Sequence, residues 1–349
     1  MGKYTAIDDP SAYFQCELYT GNSSTNAITF SGNSDMKPDL VWQKRRDAAY
    51  YHRLWDSNRG VTKYLASNDS IAEATFGYVS SFDTDGITFG SSDQSVNVNG
   101  GSYVLWNWKA NGGTTSSNTD GSKTATVQAN QDAGFSIVTY AGSGSASTVG
   151  HGLADTPDVI IFKNRSAANV WATYHQGLGN NLKLELNGTG AQDADGSFMN
   201  GTLPTSSVFT VGASVNTNGS GSNYIAYCFA EKQGYSKFGK YVGNGNSNGT
   251  FVYTGFKPAF VMLKRSNTSS NWIIMDNKRN TFNEMESRLF PNLSNAEQTQ
   301  STYGLDFLSN GFKLRDTVSQ SNGSGSTYIY MAFAENPFVT STGIMGTAR

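Results

Sequence analysis

One serine in this sequence sits at the spacing of a nucleophile elbow, Gly245-Asn-Ser247-Asn-Gly249. An elbow exposes its serine by running a strand into a helix. Here the flanks are short, polar and asparagine-rich, and Gly21-Asn-Ser-Ser and Gly142-Ser-Gly-Ser occupy matching places in the repeat described below. Ser247 therefore reads as a hairpin-turn residue. The three histidines, His52, His151 and His175, show no i, i+4 pairing and no neighbouring cysteine pair. No partner carboxylate recurs beside them, so they are expected to be half-exposed packing or loop residues rather than ligands or bases. Paired acids stand at Asp83-Thr-Asp85-Gly86 and Asp193-Ala-Asp195-Gly196. Asp-x-Asp-Gly can hold Ca²⁺, but Asp and Gly are also ordinary turn residues, and the turn reading outweighs the metal. Two-carboxylate catalysis would need apolar surroundings that raise one pKa, and these loops are polar, which disfavours a glycosidase. Cys16 and Cys228 are too few for a disulfide framework or a four-cysteine zinc site.

These residue types point to no catalytic group, no metal and no cofactor, and the chain is expected not to be an enzyme. Aromatic faces could instead stack on sugar rings. Trp55, Trp171 and Trp272 align at one place in the repeat, which favours core over contact. Tyr50 and Tyr51 fall in what looks like an elongated loop of the first copy, and they are the binding candidates.

With formal net charge −2 and no basic run beyond Lys44-Arg45-Arg46, nucleic acid is an unfavoured partner. No stretch approaches the roughly 20 apolar residues of a spanning helix, and the first residues lack an apolar signal core. A soluble product made in the cytoplasm, with no membrane insertion, is expected. With 7 prolines and no Gly-X-Y period, the chain is no collagen-like fibre. Abundant Gly, Ser, Asn and Thr beside 13% aromatics suit strands and turns.

The elements that would position these residues recur three times. Each copy opens with an aromatic strand, Tyr13-Phe-Gln-Cys-Glu-Leu-Tyr19, Gly134-Phe-Ser-Ile-Val-Thr-Tyr140 or Gly234-Tyr-Ser-Lys-Phe-Gly-Lys-Tyr241, and a glycine turn follows. A proline then leads into an apolar strand ending in lysine: Pro38 to Lys44, Pro157 to Lys163, Pro258 to Lys264. Proline suits a strand's first residue because it has no N–H to donate. The closing strands are Tyr103-Val-Leu-Trp-Asn-Trp108, Tyr224-Ile-Ala-Tyr-Cys-Phe229 and Tyr328-Ile-Tyr-Met-Ala-Phe333. From turn tyrosine to closing aromatic the spacing is 89, 89 and 92 residues. That length suits a β-sandwich better than a propeller blade of about 40–50 residues.

The expected fold is all-β, three tandem β-sandwich modules in series: 1–109, 134–231 and 234–338, with a short tail to 349. Residues 110–133, rich in Gly, Thr, Ser and Asn, read as a flexible or loosely packed connector. The second and third modules would then form a rigid pair and the first would be more independent. Phe282 to Leu289 has a weak helical flavour without caps.

The segments Ala6-Ile-Asp-Asp-Pro-Ser-Ala-Tyr-Phe14, Lys109-Ala-Asn-Gly-Gly-Thr-Thr-Ser-Ser-Asn118, Gly134 to Tyr140, Gly150-His-Gly-Leu153 and Tyr328-Ile-Tyr-Met-Ala-Phe-Ala-Glu335 resemble a repeat family widespread among marine bacteriophage proteins. The family looks like virion structural protein, tail-fibre-like and otherwise uncharacterised, with no catalytic residues to carry over. The resemblance implies a virion component made in the host cytoplasm: a tail fibre or receptor-binding protein, attached to other virion proteins and recognising a host surface glycan or protein. It also implies a homo-oligomer, a trimer foremost. A capsid decoration protein and a polysaccharide-degrading tailspike are the rival expectations.

Overall fold

The computed structural model describes residues 5–347 and is built almost wholly of antiparallel strands. Three sheets share one design. In the first, the opening strand Phe14–Thr20 pairs with the closing strand Ser102–Trp108, which pairs with the proline strand Leu40–Arg45, followed by Arg53–Asp56. The same order recurs as Phe135–Ala141, Asn223–Phe229, Val159–Asn164, Ala172–His175, and again as Ser236–Val242, Thr327–Pro337, Phe256–Arg265, Trp272–Asp276. Each sheet faces a small second sheet. Asn26–Thr29 lies with Gly86–Phe89 and Val79–Asp83 in the first module, Ser147–Gly150 with Val208–Val211 in the second, and Phe251–Tyr253 with Gly311–Leu314 and Leu305–Leu308 in the third. Between the two sheets lies a private core, such as Tyr19, Val41, Trp55, Ile87, Tyr103 and Leu105 in the first module.

The other face of each main sheet is buried too. Because side chains alternate across a strand, Tyr103 and Leu105 point to the private core while Val104, Trp106 and Trp108 point to a cluster drawn from all three modules. At its centre Trp108, Phe229 and Phe333, which hold matching places on the three closing strands, form a triangle with ring centroids 6.2, 5.6 and 5.8 Å apart. The three sandwiches thus close into a pseudo-threefold ring within one chain. This corrects the expectation of sandwiches in series with an independent first module. Double-faced burial makes the closing strands apolar almost throughout, much as strands covered on both faces are elsewhere.

Residues 110–133 are not a flexible connector. Ser116–Asn118 and Ala125–Asn130 add to the free edge of the second module's opening strand, and with Leu182–Glu185 and Asp193–Ala194 at the opposite edge that sheet has eight strands. Ala125 and Val127 are buried there in the second module's private core. The tract from Phe282 to Leu289 is not helical; it carries the short strand Ser287–Arg288.

Strand register corrects the tryptophan alignment. Leu40 pairs with Asp56, Val159 with His175 and Phe260 with Asp276, which makes Trp55 the counterpart of Tyr174 and Met275. Trp171 and Trp272 correspond instead to His52. Lys44 to His52, Lys163 to Trp171 and Lys264 to Trp272 are all separated by eight residues, so the first module has no elongated loop.

Candidate functional site

What the ring does with its polar side chains is clearest at the three junctions. At each, a ring N–H from one module donates to a backbone carbonyl of the module before it around the ring. Trp171 Nε1 reaches Ala66 O at 2.8 Å, Trp272 Nε1 reaches Glu185 O at 2.9 Å, and His52 Nε2 lies 3.0 Å from Phe290 O. Ala66, Glu185 and Phe290 hold matching places one residue past the partners of Leu54, Thr173 and Ile274. A backbone bond repeats beside each: Glu73 N to Arg165 O, Gln192 N to Ser266 O, and Glu297 N to Arg46 O, at 2.9, 2.7 and 2.7 Å.

The histidines, expected to be half-exposed, are all buried. His52 Nδ1 accepts from Trp42 Nε1 at 2.9 Å, which leaves Nε2 as the donor to Phe290 O. His175 repeats this logic: Nδ1 accepts from Gly177 N, and Nε2 faces Tyr330 O of the third module at 3.0 Å. Desolvation pushes His52 well below the usual histidine range and lowers His175 to about 4. His151 is lowered as well, chiefly by burial, and it bridges Leu153 N and Thr205 O. These imidazoles are neutral hydrogen-bonding spacers.

The lysines that end the proline strands are equally buried. Lys163 Nζ donates across its junction to Ser70 O at 2.8 Å, and Lys264 Nζ to Thr189 O at 3.3 Å. Lys44 bonds Arg45 O and Ala48 O in its own loop instead. Burial lowers Lys44 to about 7, and Lys163 and Lys264 to about 8.

The junctions also differ in the residues just past these strands, where Ser57, Gln176 and Asn277 are equivalent and Asn58 stands one residue further on. Between the first and second modules Asn58 Nδ2 reaches Ile137 O at 3.4 Å, and between the second and third Gln176 Nε2 reaches Phe238 O at 2.7 Å. Ile137 and Phe238 correspond to Cys16 on the opening strands. Asn277 stands where Gln176 does but is one methylene shorter, and it donates to Glu335 at 2.8 Å. Its Oδ1 is buried without a partner. A cleft of about 370 Å³ opens here between the third and first modules. Phe14, Cys16, Ala259 and Ala334 supply apolar wall, and Asp9, Asn277, Lys278, Glu335 and Asn336 supply polar wall. Lys278 Nζ donates to Ser31 Oγ across the cleft at 2.6 Å, and Lys257 pairs with Glu335 at 3.3 Å. Sequence reasoning did not reach this cleft; the Asn277-for-Gln176 difference becomes visible only once register is known.

The binding candidates lie elsewhere. Tyr50 lies against the Arg45 guanidinium, 4.9 Å from ring centroid to carbon, and Tyr51 is 40% exposed beside Arg53. Neither lines the cleft. Ser247 lies in the turn between Ser236–Val242 and Phe251–Tyr253, where Gly245 adopts φ +67°. Asp83 accepts from Ser81 and Thr88 within the hairpin, and Asp85 ties the turn to Met36 N. Asp193 pairs with Lys183, and Asp195 caps Ser197. Among the described residues, no group of His, Cys, Asp and Glu is arranged to hold a metal ion, and no helix is long and apolar enough to cross a membrane. Cys16 and Cys228 are free and buried.

A family model described as a domain of unknown function (DUF7483) matches residues 9–337. The chain belongs to this family. Its DUF7483 match begins before the first opening strand and ends with the last closing strand, so the family's unit is the whole ring of three modules rather than one repeat. Among curated proteins none matches the chain.

Proposed function

We propose that the chain is a structural component of a bacteriophage particle, a tail fibre or receptor-binding protein that recognises the host surface. One structural observation supports this reading: a rigid scaffold presents the same polar loop three times. Residues 21–25, 142–146 and 243–249 leave their opening strands at matching places. Each loop is pinned by a fully buried asparagine. Asn97, Asn218 and Asn322 accept from Asn22 N, Ser143 N and Asn244 N at 3.0, 2.9 and 3.0 Å, and donate to Ser24 O, Ser145 O and Asn246 O at 2.6, 2.6 and 2.8 Å. Stacked tyrosine pairs, Tyr19 with Tyr103, Tyr140 with Tyr224 and Tyr241 with Tyr328, brace their bases. Variable loops on a rigid frame are the usual dress of recognition proteins, and a homo-oligomer would multiply weak loop contacts. The buried histidines and lysines are spent on structural bonds, in keeping with a non-enzymatic role.

The pseudo-threefold ring also suits a capsid decoration protein seated in a threefold environment, with other virion proteins as its partners. Gold-labelled antibody against a tagged chain, imaged on whole particles, separates the readings. Label at the tail supports attachment, label over the head supports decoration, and particles without label remove both. Release of sugar from host capsule by the purified chain would reinstate the tailspike.

A further inference from the structure

We infer that the cleft between the third and first modules is a strand-addition groove, in which an extended segment of a partner polypeptide lies antiparallel along the free edge of Phe14–Thr20. The segment alternates small residues with polar ones and carries a basic residue near its C-terminal end. This goes beyond host recognition and concerns how another chain is held.

The second module carries such a strand of its own. Ala125–Asn130 runs along the opening strand, with Thr126, Gln128 and Asn130 opposite Thr139, Ile137 and Phe135. It also touches the first module: Gln128 bonds Ser57 Oγ at 3.0 Å, Asn58 Nδ2 reaches Thr126 O at 3.4 Å, and Asn130 Nδ2 reaches Ala110 O at 3.2 Å. Register carries those three partners over to the third module, where Asn277 stands for Ser57, Lys278 for Asn58 and Glu335 for Ala110. All three line the cleft. Opposite them Ser31 holds the place of Gly152. A Cβ at Gly152 would stand 2.9 Å from Val127 Cγ1, so serine at that place calls for a strand residue smaller than valine.

Backbone polarity agrees. Gly21 N bonds Gly101 O and Lys109 N bonds Tyr13 O, so the odd-numbered residues of the first opening strand face the closing strand. Phe14, Cys16 and Leu18 then turn their N–H and C=O outward. Among the described residues only Leu18 N has a partner there, Glu17 Oε1 at 3.3 Å. Unpaired edges of this kind are templates for an added strand. On the third module's opening strand the carbonyl matching Cys16 O is that of Phe238, and Gln176 already occupies it. One junction is thus closed by a strand and one by an amide, while the third stays open. Its mouth is rimmed by the exposed Ser31, Gly32 and Asn33, and Lys278 crosses it to Ser31 on a flexible side chain that an entering strand displaces. Asp9 lies on the wall beside Phe14, where the strand's C-terminal end arrives. It accepts from Ser11 and Ser34 and pairs with no cation among the described residues, which favours lysine or arginine at that end.

The probe is a fluorescein-labelled peptide of residues 123–131 carrying Val127→Ala and Asn130→Lys, titrated into the full chain by fluorescence anisotropy. Two N-methylated forms accompany it. A methyl on the nitrogen of residue 128 removes a bond to the opening strand, and one on residue 127 lies on the side turned away. In the chain, Leu18→Pro deletes an outward N–H and spares the bonds to the closing strand; a thermal melt verifies that it is folded. Expected is saturable binding, weakened about fivefold by methylation at 128 and by Leu18→Pro, the worth of one hydrogen bond, and unchanged by methylation at 127. No binding up to about 1 mM, equal loss from both methyl groups, or binding indifferent to Leu18→Pro overturns the proposal. Should Leu18→Pro fail to fold, the two methylated peptides decide.

Discussion

The junction between the second and third modules and the junction between the third and first are two versions of one contact. In the former, Trp272 donates to Glu185 O, Lys264 reaches Thr189 O, and Gln176 spans to Phe238 O. In the latter, a histidine replaces the tryptophan, Lys44 turns back into its own loop, and Asn277 stops short. Charge compensates there: Arg46 grips Glu297 through two bonds of 3.0 and 2.9 Å, Arg279 adds a third at 3.1 Å, and Trp106 Nε1 donates to Asp276. One backbone plan thus tolerates two ways of being held, a packed one and a polar one. The polar one leaves a cleft between the modules.

The comparison would break outright if a single module folded alone. A fragment of residues 114–233, which keeps the added edge strands and the whole private core, would expose Val159, Ile161, Ile225, Tyr227 and Phe229, which the shared cluster covers with residues of the other two modules. The expected outcome is no cooperative unfolding transition by far-ultraviolet circular dichroism, whereas a sharp two-state melt would show that the private core suffices.

Within the intact ring, Trp272→Ala should cost about 4 kcal/mol in urea denaturation, the usual toll of deleting a fully buried large aromatic. His52→Ala should cost about 2 kcal/mol, mainly by orphaning Trp42 Nε1 and the Phe290 carbonyl. Equal costs would mean that packing does not distinguish the junctions.

Acid should loosen the ring through His175. Its folded pKa of about 4 lies below the unfolded value of about 6.5. The unfolded chain therefore binds the proton first, and stability is full above pH 6.5 and falls as the pH drops toward 4. The expected loss is about 3 kcal/mol across that window. Stability measured against pH should show a shallower slope in His175→Gln, which keeps a donor toward Tyr330 O but cannot be protonated; an unchanged slope would assign the acid sensitivity to other groups.

The smallest effect expected is a gain. Asn277→Gln should add about 1 kcal/mol if the longer amide completes the bond to Cys16 O. A loss in urea denaturation would mean that the third junction cannot close.

The residue order by itself determined the unit and its number of copies. Polar turns, prolines at strand starts and alternating aromatics are local signals, and they marked the opening, proline and closing strands of all three modules. It also settled that Ser247 belongs to a turn, since composition governs such segments. The near-continuous apolar runs of the closing strands, Tyr224-Ile-Ala-Tyr-Cys-Phe229 above all, already carried the mark of burial on both faces, though a sandwich alone explains one face. Only tertiary structure decided that the second face closes a ring. It also put 110–133 onto a sheet edge and matched His52, not Trp55, to Trp171 and Trp272. Those outcomes depend on which surfaces meet across hundreds of residues and on hydrogen-bond register, and residue identity does not encode either one locally. The cleft is the extreme case, because its walls, Phe14 and Cys16 on one side and Asn277 and Asn336 on the other, come from opposite ends of the chain.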